Sequence, residues 1–158
     1  HQVINRGFGG SQIADAVHFA DRIVIAYEPR MIVMYSGGND INAGKSPEQV
    51  RADFEAFVRK VRAQLPKVPI AYISIAGNPA RWAQVEKIKR ANALIEEFCK
   101  QTPNTKYIDV FTRMLGADGL PKPEIFSKDR LHMNAEGYKL WTEIVRPALP
   151  SPDKVGAQ

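Results

Sequence analysis

Short apolar runs alternate with longer amphipathic segments along the chain, and this alternation constrains the fold more than any other feature. Residues 31–35 are continuously apolar, which is typical of a strand buried on both faces of a sheet. The predicted strands are 2–5, 31–35, 69–75 and 106–110, and the predicted helices are 12–27, a segment after Ser46, 82–101 and 134–146. Such an order favours a parallel sheet covered by helices on both faces.

Local signals at the helix ends support this order. Ser11 and Asn134 are candidate N-caps, because their short polar side chains accept hydrogen bonds from free N–H groups in a first turn. Ser46 followed three residues later by Gln49 is the pattern of a capping box. Tyr138 is predicted to face inward from the last helix.

Composition excludes several classes of protein. The 158 residues predict one domain over 1–150, followed by a proline-punctuated tail over 151–158. The net charge is +5, but basic and acidic residues are interleaved, as in "VEKIKRANALIEEF", which indicates a solvated helix face and no nucleic-acid footprint. No apolar run approaches the roughly 18 residues of a membrane-spanning helix. The one cysteine, Cys99, permits no internal disulfide and is predicted to be buried or half-buried.

The segment "DRLH" combines an acid and a base. Asp129 lies three residues before His132, close enough to orient it across a turn. A surface turn with a solvated histidine is the structural alternative. The functional interpretation is that a buried carboxylate fixes the tautomer of the imidazole and leaves its other nitrogen as a general base. This segment follows the last strand, at the edge where parallel sheets collect their chemistry.

Two glycine-rich loops follow earlier strands at the same edge. In "SGGND" the amide of Asn39 is a candidate donor to a developing oxyanion, although glycine, asparagine and aspartate are also ordinary turn residues. In "NRGFGGS" the glycines either turn the chain or present backbone N–H groups to an anion. This loop has neither a Walker lysine nor the G-x-G-x-x-G spacing.

A fourth strand-end loop, "GNPARW", is predicted to line the same pocket. Its candidate substrate-binding residues are Asn78, Arg81 and Trp82. A helix start with an inward tryptophan explains the loop equally well.

Taken together, "INRGFGGSQIAD", "MYSGGNDI" and "LHMNAEGY" resemble the SGNH hydrolases, also called the GDSL esterase and lipase family, and in particular its bacterial branch. The resemblance covers nearly the whole chain. It implies a three-layer α/β/α, flavodoxin-like parallel sheet. It also implies that His132 is the catalytic base and Asp129 its orienting acid, with Gly10 N–H and the Asn39 side chain in the oxyanion hole.

The resemblance further implies hydrolysis of carboxylic esters through an acyl-enzyme, with no metal and no cofactor. Small-molecule esters or acylated glycans are the implied substrates, and a secreted or periplasmic location is favoured. The family block that holds the nucleophilic serine is absent. We expect it before His1, on a first strand of the sheet that this chain lacks, and we expect the 158 residues alone to be inactive.

Two other classes of function stay open. One is a binding module that holds a glycan or acyl ligand without a nucleophile. The other is a flavodoxin-like binder of a nucleotide or phosphate at the "GFGGS" turn. The residues that precede His1 would separate the first from an enzyme, and phosphate binding would identify the second.

Overall fold

In the computed structural model, which describes residues 3–150, a three-stranded parallel sheet lies between layers of helices. The strands are β1 (Ile32–Met34), β2 (Ile70–Ile73) and β3 (Thr105–Ile108). The helices are α1 (Ile13–Ile23), α2 (Gly38–Asn42), α3 (Pro47–Gln64), α4 (Val85–Gln101) and α5 (Ala135–Val145). Short 3₁₀ segments are Ile25–Tyr27, Pro79–Gln84, Thr112–Met114, Pro123–Ile125 and Arg146–Ala148.

The strands lie in the order β1-β2-β3, and each neighbouring pair is parallel. Ile70 of β2 lies opposite Ile32 on one side and Thr105 on the other. All three strands therefore end at the same edge of the sheet, and the loops that follow them emerge there. The predicted parallel sheet with helices around it is confirmed.

Alternate residues of β2 separate the core into two parts. Ile70 and Tyr72 pack with residues of α1, α3 and α4, whereas Ala71 and Ile73 pack with Trp141 of α5. All four are buried. Because successive side chains of a strand point to opposite faces, this division produces three layers, helix, sheet and helix.

Two predicted caps are confirmed. Ser46 Oγ accepts the Gln49 N–H at 3.2 Å, and the Gln49 side chain accepts the Ser46 N–H at 2.8 Å, which completes the capping box of α3. Asn134 caps α5, its Oδ1 accepting the N–H groups of Glu136 and Gly137. Both contacts are local, so the sequence spacing is sufficient to reveal them.

The start of α1 differs from the prediction. Gln12, not Ser11, is the N-cap, and the Asp15 carboxylate accepts the Gln12 N–H at 2.8 Å. Ser11 instead donates its hydroxyl to the carbonyl of Phe8 at 2.8 Å, which closes the glycine-rich turn. The predicted helix over 12–27 is also too long, since α1 ends at Ile23 and a 3₁₀ turn follows.

Several exposed apolar residues correct other predictions. Residues 3–5 form no strand, because Val3 and Ile4 are exposed and pair with no neighbour among residues 3–150; Gln2 lies outside the described residues. β1 is buried on one face only, since Val33 is 40% exposed at the edge of the sheet. Tyr138 is 58% exposed and does not face the core.

The helix predicted over 82–101 begins as a 3₁₀ segment and becomes α-helical at Val85. Cys99 is buried, as predicted, and burial raises the pKa of its thiol to about 11. None of the helices within residues 3–150 combines the length and the apolar character that crossing a membrane requires. The tail predicted over 151–158 lies outside the described residues.

Candidate active site

His132 and Asp129 contact each other directly. Nδ1 of His132 lies 2.6 Å from Oδ2 of Asp129. The other carboxylate oxygen, Oδ1, accepts the backbone N–H groups of Leu131 and His132, each at 3.0 Å. Because the acid is held by the turn itself, it presents one oxygen to the imidazole in a fixed direction. Nε2 of His132 makes no hydrogen bond within residues 3–150 and remains available as a base.

The turn that carries this pair is fastened on both sides. The Ser127 N–H donates to the His132 carbonyl at 2.7 Å, and the Asn134 amide donates to the carbonyls of Glu124 and Phe126. Arg130 adopts a left-handed φ of 59° at the tip. His132 is therefore positioned by a short pairing of the chain with residues 124–127, immediately before α5.

The carboxylate is not buried, contrary to the prediction. The Asp129 side chain is 49% exposed and the His132 side chain 72%. Hydrogen bonds lower the pKa of Asp129 to about 2, first through the His132 ring and then through the N–H groups of Leu131 and His132, with a smaller charge interaction with His132. The acid is therefore ionised at neutral pH, which keeps a proton on Nδ1 and leaves Nε2 unprotonated in the neutral ring.

Asn39 lies in the first turn of α2, and the loop predicted for "SGGND" is in fact the start of this short helix. Its Nδ2 donates to the carbonyl of Ser11 at 3.1 Å, and its Oδ1 accepts from Nη1 of Arg81 at 3.1 Å. Gly37 makes the preceding turn with a φ of 113°. Asn39 thus links the "SGGND", "NRGFGGS" and "GNPARW" segments, and one hydrogen of Nδ2 has no acceptor within residues 3–150.

Asp40 is a structural residue of the site that the sequence analysis missed. Its side chain is fully buried, both of its oxygens lie 3.2 Å from the Ile13 N–H, and Lys45 Nζ lies 2.9 Å from Oδ1. Although burial alone would lower it, hydrogen bonds to Asp53 and Asp40 raise the pKa of Lys45 above its usual value. Asp40 pins the start of α1 against α2. The only sequence signal was an acid in the first turn of α2.

Gly10 lies in the exposed turn that precedes α1. Its φ is 74°, a value that favours glycine, and a Cβ added there would meet no atom within 4 Å. Within residues 3–150 its N–H donates to no other group. The neighbouring residue, Ser11, accepts the Asn39 amide, so the Gly10 turn and Asn39 are adjacent.

The "GNPARW" loop contacts both Asn39 and the turn that carries Asp129 and His132. Asn78 caps the 3₁₀ segment by accepting the Arg81 N–H at 3.0 Å, and Trp82 packs against the core. The Ala80 N–H donates to the Arg130 carbonyl at 3.0 Å. The loop therefore connects Asn39 to the turn of the acid and the base. Roles of Asn78, Arg81 and Trp82 in substrate binding stay predictions.

No serine hydroxyl within residues 3–150 forms a hydrogen bond with the His132 imidazole. Ser127 Oγ donates to the Met133 carbonyl at 3.3 Å, and Ser74 Oγ is buried and accepts the N–H groups of Val110 and Phe111. The remaining described serines are Ser11, Ser36 and Ser46. In the same part of the chain, no three His, Cys, Asp or Glu side chains gather where they would hold a metal ion.

Comparison with known proteins identifies a family that this chain matches. The profile of the GDSL-like lipase/acylhydrolase family matches residues 1–140. The platelet-activating factor acetylhydrolase IB subunit alpha2 of Gallus gallus is 27% identical over 117 residues, which are 70% of this chain and 48% of that protein. The chain thus spans about half the length of this curated relative.

Solved structures share the fold. A protein from Streptococcus pneumonia named for platelet activating factor superposes with a TM-score of 0.82 at 23% identity, over 94% of this chain and 73% of that one. A GDSL-like lipase from Bacteroides thetaiotaomicron gives a TM-score of 0.78 at 20% identity, over 92% and 74% of the two chains. The three-layer architecture predicted from the sequence is confirmed by these matches.

Proposed function

The chain belongs to the GDSL-like lipase/acylhydrolase family, and from that premise we propose that it hydrolyses carboxylic esters through an acyl-enzyme intermediate. The observation that carries the proposal is the 2.6 Å hydrogen bond between Nδ1 of His132 and Oδ2 of Asp129. An imidazole oriented in this way by a carboxylate has one free nitrogen that accepts a proton from a nucleophile.

In the first half of the reaction, Nε2 of His132 takes the proton of a serine hydroxyl while the serine oxygen attacks the ester carbonyl carbon. The carbonyl oxygen becomes an oxyanion, which the Gly10 N–H and the free Nδ2 hydrogen of Asn39 stabilise. Asp129 stabilises the imidazolium that forms. When the intermediate collapses, the C–O bond of the ester breaks and His132 gives the proton to the departing alcohol.

In the second half, water takes the place of the serine hydroxyl. His132 accepts a proton from water as the water oxygen attacks the acyl-enzyme, and the same donors hold the new oxyanion. Collapse breaks the bond to the serine oxygen, which regains its proton from His132. The carboxylic acid then leaves. Every proton passes through one imidazole nitrogen, so no metal is needed for this sequence of steps.

We assign the nucleophile to a serine on residues that precede His1. Support comes from the described serines, since none of their hydroxyl groups forms a hydrogen bond with the His132 imidazole. Ser74 and Ser127 in particular use their hydroxyl groups in contacts with the backbone. Ser36 stands in the turn before Asn39, but it lacks the preceding glycine of a G-x-S-x-G turn.

The proposed substrates are small esters with a short acyl group on an alcohol or a sugar. The exposed position of His132 favours an acyl group presented from solvent, and the curated relative is named for acetyl hydrolysis. Such substrates differ in the length of the acyl chain and in the alcohol. A panel of p-nitrophenyl esters from acetate to decanoate, followed by acetylated sugars, ranks them by kcat/KM.

Hydrolysis of p-nitrophenyl acetate by the full-length protein tests the function. We expect activity that His132→Ala lowers by about 10²–10⁴, the usual contribution of a general acid–base group. Asp118→Asn is a suitable control, because Asp118 forms a similar turn, with its Oδ1 accepting the Leu120 N–H, and forms no hydrogen bond or ion pair with a histidine among residues 3–150. Activity that is equal in the wild type and in His132→Ala would contradict the proposal.

The second candidate is a binding module for a glycan or an acyl ligand. One observation favours it: in the described part of the chain Asp129 orients the His132 imidazole, but no serine hydroxyl forms a hydrogen bond with that ring. A protein of this kind would bind acetylated sugars without turning them over. Calorimetry with acetylated and deacetylated forms of the same sugar, alongside the hydrolysis assay, separates it from an enzyme.

A further inference from the structure

The "GNPARW" loop, residues 77–82, is built so that the position of one side chain, that of Arg81, is fixed. Gly77 is packed tightly, since a Cβ there would lie 2.8 Å from Phe111 Cε2 and 2.9 Å from Trp82 Cζ3. The rings of Trp82 and Phe111 are nearly parallel, with centroids 6.5 Å apart. Only glycine leaves room for this arrangement, which anchors one end of the loop to the core.

The backbone of the loop is fastened at two more points. Asn78 Oδ1 accepts the Arg81 N–H at 3.0 Å, and the Ala80 N–H donates to the Arg130 carbonyl at 3.0 Å. The first contact sets the backbone of Arg81, and the second ties the loop to the turn that carries Asp129 and His132. A side chain on such a loop loses little further entropy when it makes a contact.

Arg81 uses this position to contact Asn39. Its Nη1 donates to Asn39 Oδ1 at 3.1 Å, while Asn39 Nδ2 donates to the Ser11 carbonyl at 3.1 Å. A guanidinium only donates hydrogen bonds and a carbonyl only accepts them. An Asn39 amide rotated by 180° would face a donor with its NH₂ and an acceptor with its oxygen. The two contacts therefore allow one orientation of the amide.

The charge of Arg81 is not neutralised by an acid. Other arginines form ion pairs, such as Arg51 with Glu55 at 2.8 Å and Arg90 with Glu48 at 3.4 Å. Among residues 3–150, no carboxylate lies within the 4.0 Å of an ion pair from Arg81. Its field therefore acts on the amide of Asn39, and a hydrogen bond from a cation to the amide oxygen polarises the N–H groups on the other side.

We propose that Arg81 is a positioning residue of the oxyanion hole, which locks the Asn39 amide with Nδ2 toward the developing oxyanion and strengthens it as a donor. This role rests on the proposed ester hydrolysis, because the oxyanion exists only in that reaction. It differs from direct substrate binding. A residue that acts through Asn39 matters only while Asn39 is present, whereas a residue that touches substrate matters with or without it.

A double-mutant cycle in the full-length protein distinguishes the two. Arg81→Met should lower kcat on p-nitrophenyl acetate by about 10-fold, with KM nearly unchanged, since a misaligned donor costs less than the 10²–10³ of a lost one. Added to Asn39→Ala, it should change kcat less than about 2-fold, because the two residues act as one unit. Arg90→Met removes an exposed arginine elsewhere and should have no effect.

Equal losses from Arg81→Met in both backgrounds, or a raised KM with unchanged kcat, would overturn the proposal in favour of direct substrate contact. A wild-type protein that lacks His132-dependent hydrolysis would instead contradict the proposed function. In that event NMR tests whether Arg81 fixes the orientation of the Asn39 amide. The Asn39 side-chain NH₂ signals are identified by their absence in Asn39→Ala. Their chemical shifts should move toward the values of an unstructured chain in Arg81→Met and stay unchanged in Arg90→Met. If Arg81→Met leaves these chemical shifts unchanged, the proposal that Arg81 orients the Asn39 amide would be overturned as well.

Discussion

The carboxylate of Asp129 contacts His132 twice: Oδ2 lies 2.6 Å from the imidazole Nδ1, and Oδ1 accepts the backbone N–H of the same residue at 3.0 Å. One side chain thus fixes both the backbone and the ring of the histidine. Such a turn holds an oriented base on the surface without the burial that usually accompanies an acid–base pair.

Replacing the acid should inactivate the base while preserving the turn. We expect Asp129→Asn to lower kcat by about 10⁴, because an amide facing Nδ1 favours the wrong tautomer. The Asn side chain retains an oxygen for the Leu131 and His132 N–H groups, so the loss of stability should be limited to that of the contact with the imidazole. Steady-state kinetics and a thermal melt measure the two effects. Unaltered kcat would mean that Asp129 serves only the turn.

The pKa of Asp129 predicts a pH dependence. Hydrogen bonding to His132 and to two N–H groups lowers this pKa from 3.8 to about 2. When folding lowers the pKa of a carboxyl group, the ionised carboxylate stabilises the folded protein at pH values above the pKa of the unfolded state. This stabilisation is lost as the pH falls through the pKa of the folded state. The stabilisation of the folded protein by Asp129 should therefore be complete above pH 3.8 and disappear as the pH approaches 2.

Carbon-13 NMR of the Asp129 carboxyl checks this dependence. The midpoint should lie near 2 in the wild type and rise toward 3.8 in His132→Ala, which removes the largest cause of the shift. A midpoint near 3.8 in the wild type would show that the contact with His132 does not form in solution.

The Asn39 amide should matter for catalysis more than for stability. Asn39→Ala removes one oxyanion donor and should lower kcat by about 10²–10³. Its loss also breaks contacts with Ser11 and Arg81, so a destabilisation of about 1 kcal/mol is expected. Asn42→Ala, an exposed change at the end of the same helix α2, is the control. Full activity of Asn39→Ala would reduce Asn39 to a structural link.

Gly37 and Gly44 form a matched pair for testing the turn before Asn39. Both have a left-handed φ, 113° and 95°. A Cβ on Gly37 would lie 2.8 Å from Ile75 Cδ1 and 2.9 Å from the Tyr72 hydroxyl, whereas one on Gly44 meets nothing within 4 Å. Gly37→Ala should thus be less stable than Gly44→Ala by about 1–3 kcal/mol in urea unfolding. Equal losses would mean that the turn is loosely packed.

Substitution of Asp40 should lower the free energy of unfolding more than substitution of an exposed charged residue. Asp40→Ala leaves the Ile13 N–H without its buried acceptor and removes one of the two acidic partners of Lys45, which keeps Asp53, so a loss of about 1–3 kcal/mol is expected. Asp21→Ala breaks the exposed pair with Lys60 and should leave the melting temperature nearly unchanged. A small loss from Asp40→Ala, in the range of Asp21→Ala, would show that water satisfies these groups.

What the sequence predicted correctly depends on contacts close along the chain. The capping box of Ser46 and Gln49 and the turn of Asp129 and His132 each span three residues, so spacing reveals them. The contacts of Arg81 with Asn39 and of Asp40 with Ile13 span 42 and 27 residues. Only the folded sheet brings these together, because parallel strands return every loop to one edge.

The errors have related causes. The apolar pattern of β1 predicted burial on both faces, but burial depends on which neighbours cover a strand, and Val33 has too few. Ser11 satisfied the rule for an N-cap, yet its hydroxyl donates to the Phe8 carbonyl of the glycine-rich turn, and Gln12 is the N-cap. The sequence pattern therefore identified most of the helices and strands, and tertiary packing decided their ends and their exposed faces.

The most direct test of a serine hydrolase that uses His132 is covalent labelling of the full-length protein with a fluorophosphonate, followed by mass spectrometry of its peptides. Only an activated hydroxyl attacks phosphorus at a useful rate. We predict one adduct, on a serine that precedes His1, which disappears in His132→Ala, while the six serines from Ser11 to Ser151 stay unlabelled. An adduct on Ser36 or Ser127 would contradict the assigned nucleophile, and labelling that is unchanged in His132→Ala would contradict the role of His132 itself.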